Sequence, residues 1–275
     1  MINPSQYARE FIENGVLKSL SIIDAHAHMG AVYGTSLTIS SADEMVQTMD
    51  RENIEMIFCA PHSALFDPAS GNTELEAAME KYPDRIKGYF SFNPNYSEDV
   101  LPTISRVLEH PGYIGFKFLP EYHHYSLVND DYAQVLAFAN EHKLALLVHT
   151  WGGSAYNSTK QVEQVLKKYP DITVLMGHSA PGECDLAIAL ARDYENAYLE
   201  LCDIHRHNGI IDRMVSVAGA DKVMFGTDIP WYDPNYCLGS ILFSTISDED
   251  RYKIIYGNAR RILSQIVQRK QDIRP

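Results

Sequence analysis

The chain has 275 residues, of which 45% are hydrophobic and 21% charged, and its formal net charge is -13 at pH 7. This composition is typical of a globular enzyme, and no low-complexity run indicates a disordered arm. The negative charge repels nucleic-acid phosphates and anionic lipids, so we expect neither as a partner. Length alone allows one large domain or two small ones.

The cysteines and the N-terminus bear on the cellular compartment. The four cysteines show neither CxxC spacing nor the framework of a small disulfide-stapled secreted domain. Residues 1–13 mix polar and charged side chains, unlike a signal peptide, and no apolar run is long enough to cross a bilayer. We therefore expect a cytoplasmic protein with free thiols and no membrane partner.

Short apolar segments rich in β-branched residues recur along the chain, with amphipathic stretches between them. Successive segments begin roughly 25 to 35 residues apart, which is the length of one strand, one helix and two short loops. The rhythm predicts a single α/β domain over residues 1–275, a (β/α)8 TIM barrel, with a doubly wound open sheet as the less favoured alternative. The predicted strands are Ser21–His28, Met56–Pro61, Ile86–Phe92, Tyr113–Leu119, Leu144–His149, Thr173–His178, Ala197–Cys202 and Lys222–Asp228.

Helix signals lie between and around these strands. Ser41 and Glu44 have the spacing of a capping box ahead of an apolar run. Residues 1–20 predict an N-terminal helical extension that closes the barrel floor. Near the C-terminus, the segment YGNARRIL predicts a helix in which Asn258 and Arg260 fix the final turn of the barrel.

Side chains that can bind a metal fall at the carboxyl ends of the predicted strands. In the segment IIDAHAH, the two-residue period of a strand places Asp24, His26 and His28 on one face. Imidazoles that point into a barrel need a partner that compensates for their burial, and a metal ion provides one. An ordinary pair of buried histidines would explain an isolated HxH motif equally well.

The HxH motif is not isolated. His149 ends the fifth predicted strand, His178 ends the sixth, and Asp228 ends the eighth. The carboxyl ends of barrel strands meet at one face, where the active sites of such barrels lie. The pattern therefore predicts a metal centre at the C-terminal mouth, with nitrogen and oxygen ligands that suit zinc but also manganese, iron or cobalt.

Lys117 stands between two phenylalanines in the fourth predicted strand, so its amine should also face the barrel interior. A buried lysine is costly unless it meets an anion or is chemically modified. It could bind a substrate carboxylate, or it could carry a carbamate that bridges two metal ions. A third alternative is that the side chain extends from the rim to solvent.

In chain order, the motifs HAH, GFK, LVHT, MGHS, FGTD and YGNARRIL resemble the amidohydrolase superfamily over Ile22–Leu263. The resemblance is to its amidohydrolase-related branch of small hydrolases and nonoxidative decarboxylases similar to aminocarboxymuconate semialdehyde decarboxylase. It implies a metal held by four side chains, His26, His28, His149 and Asp228. His178 would then lie beside the metal-bound water. The branch usually works with one ion, so one zinc ion is favoured, whereas a second ion would use His178 and a modified Lys117.

Hydrolysis of a small carboxylate, ester, lactone or amide substrate by metal-activated water is the function that we expect first. A bound divalent ion lowers the pKa of water from 15.7 to about 7, which supplies a nucleophile at neutral pH. Asp228 would bind the metal and move the proton, while His178 orients the nucleophile or stabilises developing charge.

Metal-dependent nonoxidative decarboxylation of an unsaturated or aromatic acid is the second function that we expect. It requires a cation for the substrate carboxylate, and Arg206 is the only arginine that the sequence places near the mouth, with Lys117 as a second cation. This scarcity mildly favours hydrolysis. A barrel that binds a small molecule without turnover, with no metal or a structural one, is a third alternative. It is disfavoured because structural zinc sites are usually closed by four protein side chains, whereas this cluster lies at the barrel mouth, where substrates enter.

Other residues near the mouth have weaker predicted roles. Glu200 alternates with two leucines near the end of the seventh predicted strand, and it either hydrogen-bonds a ligand imidazole or the substrate, or forms an ordinary salt bridge at the rim. Six residues either form pocket walls or pack in loops, namely His62, Tyr122, His123, His124, Trp151 and Trp231. A homo-oligomer is common for such barrels and is expected here.

Overall fold

Eight parallel strands, paired in chain order from β1 to β8, form one sheet in the computed structural model, which describes residues 5–32 and 36–273. This arrangement confirms the predicted α/β barrel against the doubly wound alternative, in which the strand order would reverse. The strands are β1 Ile22–Met29, β2 Ile54–Pro61, β3 Ile86–Ser91, β4 Tyr113–Phe118, β5 Ala145–His149, β6 Thr173–Gly177, β7 Ala197–Glu200 and β8 Val223–Met224.

Seven strands lie within two residues of their predicted ends, whereas β8 is much shorter than the predicted Lys222–Asp228. Lys222 belongs to a 3-10 turn over Ala220–Lys222. After Met224 the chain leaves β7 and bonds to β1 instead, because the amide of Ala25 donates to the carbonyl of Phe225 (2.9 Å). The shortening of β8 thus reflects the closure of the barrel.

The contact between β1 and the segment that follows β8 will be called the barrel seam, over residues 24–29 and 225–229. Across it, the amide of Asp228 donates to the carbonyl of His26 (2.7 Å), and the amide of His28 donates to the carbonyl of Ile229 (2.7 Å). The carboxylate of Asp24 accepts hydrogen bonds from both the amide and the hydroxyl of Thr227. The backbone that closes the barrel is therefore the backbone that carries predicted site residues.

Helices cover the outside of the sheet. None of the helices in the described ranges is both long and apolar enough to cross a membrane. The helices are α1 Gln6–Asn14, α2 Ala42–Glu52, α3 Pro68–Lys81, α4 Ser97–Val100, α5 Arg106–Glu109, α6 Pro120–His123, α7 Asp130–Glu141, α8 Thr159–Lys168, α9 Cys184–Asp193, α10 Ile210–Ala218, α11 Pro234–Leu242, α12 Asp248–Tyr252 and α13 Asn258–Ile273. The predicted capping box of Ser41 and Glu44 is present at the start of α2.

The N-terminal extension is helical over a shorter range than the predicted residues 1–20, whose first four residues lie outside the described ranges. Its helix is α1, Gln6–Asn14, which contacts α11 on the outside of the barrel. The segment after α1 is irregular but packed, with Leu17 and Leu20 buried. Asn53, just before β2, donates to both of their carbonyls, so this segment, and not the helix, lies at the floor.

Asn258 fixes the last turn of the barrel, as the sequence predicts. Its side-chain amide donates to the carbonyls of Ala220 and Val223, both at 2.8 Å, and is itself buried. The helix begins earlier than predicted, since α12 runs into α13 through a π-helical turn at Lys253–Gly257. The C-terminal helix is thus tied to the start of β8 by a buried side chain.

We expect Asn258→Ala to lower the free energy of unfolding by about 2 kcal/mol, because the substitution removes donors from buried carbonyls. Urea denaturation followed by circular dichroism measures the change. Asn14→Ala is the matched control, since the Asn14 amide donates to Glu10 at an exposed helix end. We expect less than about 0.5 kcal/mol for the control. Equal losses in the two variants would show that the hydrogen bonds of Asn258 to Ala220 and Val223 do not stabilise the fold.

Candidate active site

The two histidines of β1 are held by hydrogen bonds on their outer ring nitrogens. His26 Nδ1 donates to Glu200 Oε2 (2.8 Å), and His28 Nδ1 donates to the carbonyl of Ala60 (2.8 Å). Because each neutral ring has one proton, these bonds place it on Nδ1 and leave a lone pair on Nε2. The two Nε2 atoms face each other at 3.2 Å, so both lone pairs point to one spot.

Asp228 completes a compact ligand cluster, defined here as His26, His28 and Asp228. Its Oδ1 lies 3.4 Å from His26 Nε2 and 3.1 Å from His28 Nε2. Donor atoms around one ion with bonds near 2.1 Å stand about 3.0 to 3.4 Å apart, so this spacing fits a single divalent cation. Two imidazole lone pairs and a carboxylate repel one another unless a positive charge lies among them, and the donor set therefore fits the implied metal.

His178 and Asp228 reach the mouth through unusual backbone conformations. His178 has φ 67°, and the next two residues, Ser179 and Ala180, also have positive φ values of 51° and 50°. Asp228 has φ 61°. Left-handed conformations are costly for residues other than glycine and are concentrated at functional sites. The two strand ends thus turn their last side chains toward the ligand cluster.

His149 lies in the same region but outside the compact cluster. Its ring centroid is 4.6 Å from that of His178, and its ring is stacked on Trp151 at 6.0 Å. Among the described residues there are two close groups of metal-capable atoms, His26 with His28 and Asp228, and His26 with His178 and Cys202, and neither includes His149. The structure therefore brings three of the four implied ligands together and places the fourth in the wall of the same cavity.

Lys117 is fully buried beneath the cluster, and its Nζ donates to His26 Nε2 at 2.8 Å. The predicted interior orientation is therefore confirmed, and the solvent-reaching alternative is wrong. Burial lowers the pKa of the amine, although the charge of Asp228 acts in the opposite direction. Lys117 and a cation compete for the same imidazole lone pair, so the amine must move or lose its proton when an ion binds.

Burial and mutual charge set the ionisation of the site. Burial lowers the pKa of His178 to about 4 and holds that of His26 well below its ordinary value. Burial alone would raise the pKa of Asp228, but the neighbouring His26 and His28 hold it well below its usual range. His26 is therefore neutral and Asp228 ionised, which are the forms that bind a metal.

Glu200 is fully buried below His26 and organises several groups at once. Besides the His26 ring, its carboxylate accepts hydrogen bonds from the amides of His178 (3.1 Å) and Cys202 (2.6 Å). Of the predicted alternatives for Glu200, the structure has the hydrogen bond to a ligand imidazole, that of His26. Glu200 has no solvent exposure, so it does not form a salt bridge at the rim. Such carboxylate partners orient ligand histidines and increase their basicity.

Cys202 is the residue of the site that sequence reasoning missed. Its Sγ lies 3.0 Å from His178 Nδ1 and 3.2 Å from His26 Nδ1. Burial, together with the charge of Glu200, raises the pKa of the thiol well above its ordinary value, so it keeps its proton. The two-residue period of β7 places Cys202 on the same face as Glu200, and that signal could have identified it.

A cavity of about 630 Å³ opens above the ligand cluster. Most of its wall is aromatic or apolar, and it includes four of the six predicted wall residues but neither His123 nor His124. The lining residues are His28, Val32, His62, Leu65, Phe66, Leu119, Tyr122, His149, Trp151, His178, Asp203, Arg206, Asp228, Trp231 and Tyr232. A wall of this kind, with a few convergent polar groups, is typical of a small-molecule site.

Arg206 is the only arginine or lysine among the described residues that line this cavity. Its guanidinium contacts Asp203 at 3.0 Å, and Tyr232 donates to the same carboxylate oxygen at 2.6 Å. Asp203 is held in a tight turn (φ 62°, ψ -44°) by a hydrogen bond from the amide of Ile204 to the carbonyl of Cys202 (2.7 Å). Turns of this positive-φ type are rare and strained, which indicates a loop shaped for function.

The arrangement can bind a divalent ion at its base, accept or deliver a proton at Asp228, and hold an anionic group at Arg206.

Residues 23–265 of the chain match the model of a protein family described as amidohydrolase. A curated relative, the gamma-resorcylate decarboxylase of Polaromonas sp. (strain JS666), is 29% identical over 115 residues. The match covers 34% of this chain and 35% of that relative, so it spans about a third of the relative's length.

Similar crystal structures include aromatic acid decarboxylases. The 2,6-dihydroxybenzoate decarboxylase from Rhizobium superposes with a TM-score of 0.72 at 14% identity, covering 90% of this chain and 99% of that one. The 5-carboxyvanillate decarboxylase of Novosphingobium aromaticivorans, complexed with manganese and 4-hydroxy-3-methoxy-5-nitrobenzoic acid, has a TM-score of 0.71 and 14% identity over 89% of this chain and 96% of that one. Identities this low show a shared fold alone.

Proposed function

The chain belongs to the amidohydrolase family of enzymes, and from that membership we propose that it is a metal-dependent nonoxidative decarboxylase of a small aromatic or unsaturated acid. The observation that carries the proposal is the cavity, which places one arginine and a wall of aromatic rings above the ligand cluster. An aromatic carboxylate matches each part, since its ring packs on aromatic walls and its charge pairs with a guanidinium.

The similar proteins support decarboxylation, which the sequence analysis ranked second, over hydrolysis, which it ranked first. Their names refer to gamma-resorcylate, 2,6-dihydroxybenzoate and 5-carboxyvanillate, which are all hydroxylated aromatic acids. Manganese is the ion named with the 5-carboxyvanillate enzyme. We therefore propose a divalent ion, with manganese now preferred to the zinc that the sequence suggested.

In this proposal the ion is held by the ligand cluster, with His149 as a further ligand in the adjoining wall. The ion would polarise an oxygen of the bound substrate and offset its negative charge. Arg206 pairs with the anion at the mouth, while Tyr122 and Trp231 pack against the ring. Lys117 lies beneath the cluster, where its amine would move away from His26 or lose its proton to accommodate the ion.

Asp228 moves the proton. As an ionised carboxylate it takes up a proton that the solvent supplies through water in the cavity, and delivers it to the ring carbon that bears the carboxylate. The bond from that carbon to the carboxylate breaks, its electron pair forms the new C–H bond with the delivered proton, and CO2 leaves. The reaction therefore consumes one proton for each CO2 released, and Asp228 returns to its ionised form.

A panel assay on the metal-loaded protein tests the proposal. The protein is stripped with a chelator, reloaded with Mn²⁺ or Zn²⁺, and incubated with 2,6-dihydroxybenzoate, 5-carboxyvanillate and unsubstituted benzoate. We expect CO2 release from a hydroxylated acid, loss of activity in the stripped protein, and recovery on reloading. Parallel incubation with ester, lactone and amide substrates detects hydrolysis in the same preparation.

Hydrolysis of an ester, lactone or amide without CO2 release from any acid would overturn the decarboxylase proposal and restore the hydrolase. Binding of these acids without any turnover, at full metal occupancy, would favour the non-catalytic barrel.

We expect Arg206→Ala to raise the KM for a carboxylate substrate about tenfold, with a smaller effect on kcat, because it removes a charge-assisted contact to the bound anion. Arg206→Lys should recover part of the loss, since it keeps the charge but not the planar fork. Arg213→Ala is the control, because Arg213 pairs with the exposed Asp185 on the outer face. Steady-state kinetics that leave KM unchanged in Arg206→Ala would contradict the assignment.

A further inference from the structure

The buried thiol of Cys202 has no part in the proposed reaction, yet it lies directly beneath two site histidines. Its Sγ is 3.0 Å from His178 Nδ1 and 3.2 Å from His26 Nδ1, and its side chain has no solvent exposure. A thiol has one proton and can donate one weak hydrogen bond. Which acceptor receives that bond decides where a neighbouring ring carries its own proton.

His26 cannot be the acceptor. Its Nδ1 proton is committed to Glu200 Oε2 at 2.8 Å, so that nitrogen has no free lone pair. The Glu200 carboxylate is also in reach of the thiol, but its oxygens already accept the amides of His178 (3.1 Å) and Cys202 (2.6 Å) besides the His26 ring. Among the described residues, Cys202 Sγ is also the one hydrogen-bond partner found for the His178 ring.

We infer that Cys202 is a positioning residue whose S–H donates to His178 Nδ1 and thereby places the ring proton of His178 on Nε2. Nδ1 faces the thiol below the site, and His178 lines the cavity, so Nε2 is the edge that faces the substrate. His178 is then a hydrogen-bond donor into the cavity. Resting on the proposed function, this makes it a second contact for the substrate carboxylate besides Arg206.

The same proton position limits the metal content. A nitrogen that carries a proton has no lone pair for an ion, so His178 Nε2 cannot ligate a metal in this tautomer. The Nδ1 atoms of His178 and His26 are also occupied, because the first accepts from the thiol and the second donates to Glu200. In this tautomer His178 is not available as the ligand that the two-metal alternative requires.

Nitrogen NMR of the metal-free protein tests the inference without relying on any activity. Protein labelled with 15N-histidine is recorded with long-range proton–nitrogen correlation, which distinguishes the two neutral tautomers. His178→Gln identifies the His178 signals by their disappearance. We expect the Nε2–H tautomer in the wild type and in Cys202→Ser, which keeps a hydroxyl donor at this position, and a shift toward Nδ1–H in Cys202→Ala.

Cys237→Ala is the matched control, because Cys237 is a buried cysteine whose sulfur lies 3.7 Å from a different ring, that of His205. It should leave the His178 signals unchanged. An Nδ1–H tautomer in the wild type, or identical His178 signals in the wild type and Cys202→Ala, would overturn the inference. Neither result depends on decarboxylation, so failure of the proposed function would show separately as an absence of CO2 release.

Discussion

Asp228→Asn is expected to lower kcat by about a thousandfold or more, since general acid–base catalysis alone contributes 10² to 10⁴. Asparagine keeps the size of the side chain and one oxygen that can face a metal, but it can neither take up nor deliver a proton at neutral pH. The ionised carboxylate is the form that the neighbouring His26 and His28 favour in the wild type. The measurement is single-turnover kinetics on protein of known metal content.

Metal content must be measured beside the rate, because Asp228 belongs to the ligand cluster and its loss also weakens ion binding. Asp233→Asn is the matched control, since Asp233 is a nearby exposed carboxylate that caps α11 and asparagine caps helices as well. We expect wild-type turnover in the control. Near-wild-type turnover by Asp228→Asn with the ion bound would show that the proton travels by another route.

Glu200→Gln is expected to weaken Mn²⁺ binding 10- to 100-fold, the usual effect of removing a partner that orients a ligand histidine. The glutamine amide cannot accept the three N–H groups that the carboxylate accepts, because one of its two polar atoms is itself a donor. The His26 ring therefore loses its orientation or its correct tautomer. Isothermal titration calorimetry with Mn²⁺ measures the affinity.

Glu183→Gln serves as the comparison, because Glu183 accepts hydrogen bonds from Thr159 and Gly153 outside the ligand cluster. We expect wild-type affinity for Mn²⁺ in that variant. If Glu200→Gln also bound the ion as tightly as the wild type, the hydrogen bond to His26 would have no role in holding the metal.

Local patterns in the sequence were sufficient to predict the barrel and the three residues of the ligand cluster. Strand positions follow from short apolar runs at regular spacing, because a parallel sheet buries both faces of each strand. Once the strands are placed, the two-residue period and the common end of the strands bring His26, His28 and Asp228 together. The inward orientation of Lys117 follows from the same period.

Features created by the tertiary structure could not be predicted in the same way. β8 ends where the chain begins to hydrogen-bond with β1, and the residues joined across this seam, such as Asp24 and Thr227, lie 203 positions apart in the sequence. The contact of Cys202 with His178 joins two strands, and the turn at Asp203 that presents Arg206 is an irregular loop. The choice between decarboxylation and hydrolysis depends on such loops, so the sequence alone ranked hydrolysis first, whereas the similar proteins favour decarboxylation.

The position of the barrel seam has a thermodynamic consequence. Two members of the ligand cluster, His26 and Asp228, are also joined by a backbone hydrogen bond that closes the barrel (2.7 Å). An ion that binds both side chains therefore also holds the first strand against the segment that follows the last strand. Because the ion binds only the closed barrel, its binding free energy stabilises that closed form. Removal of the metal would therefore weaken the barrel first at the contact between these two segments.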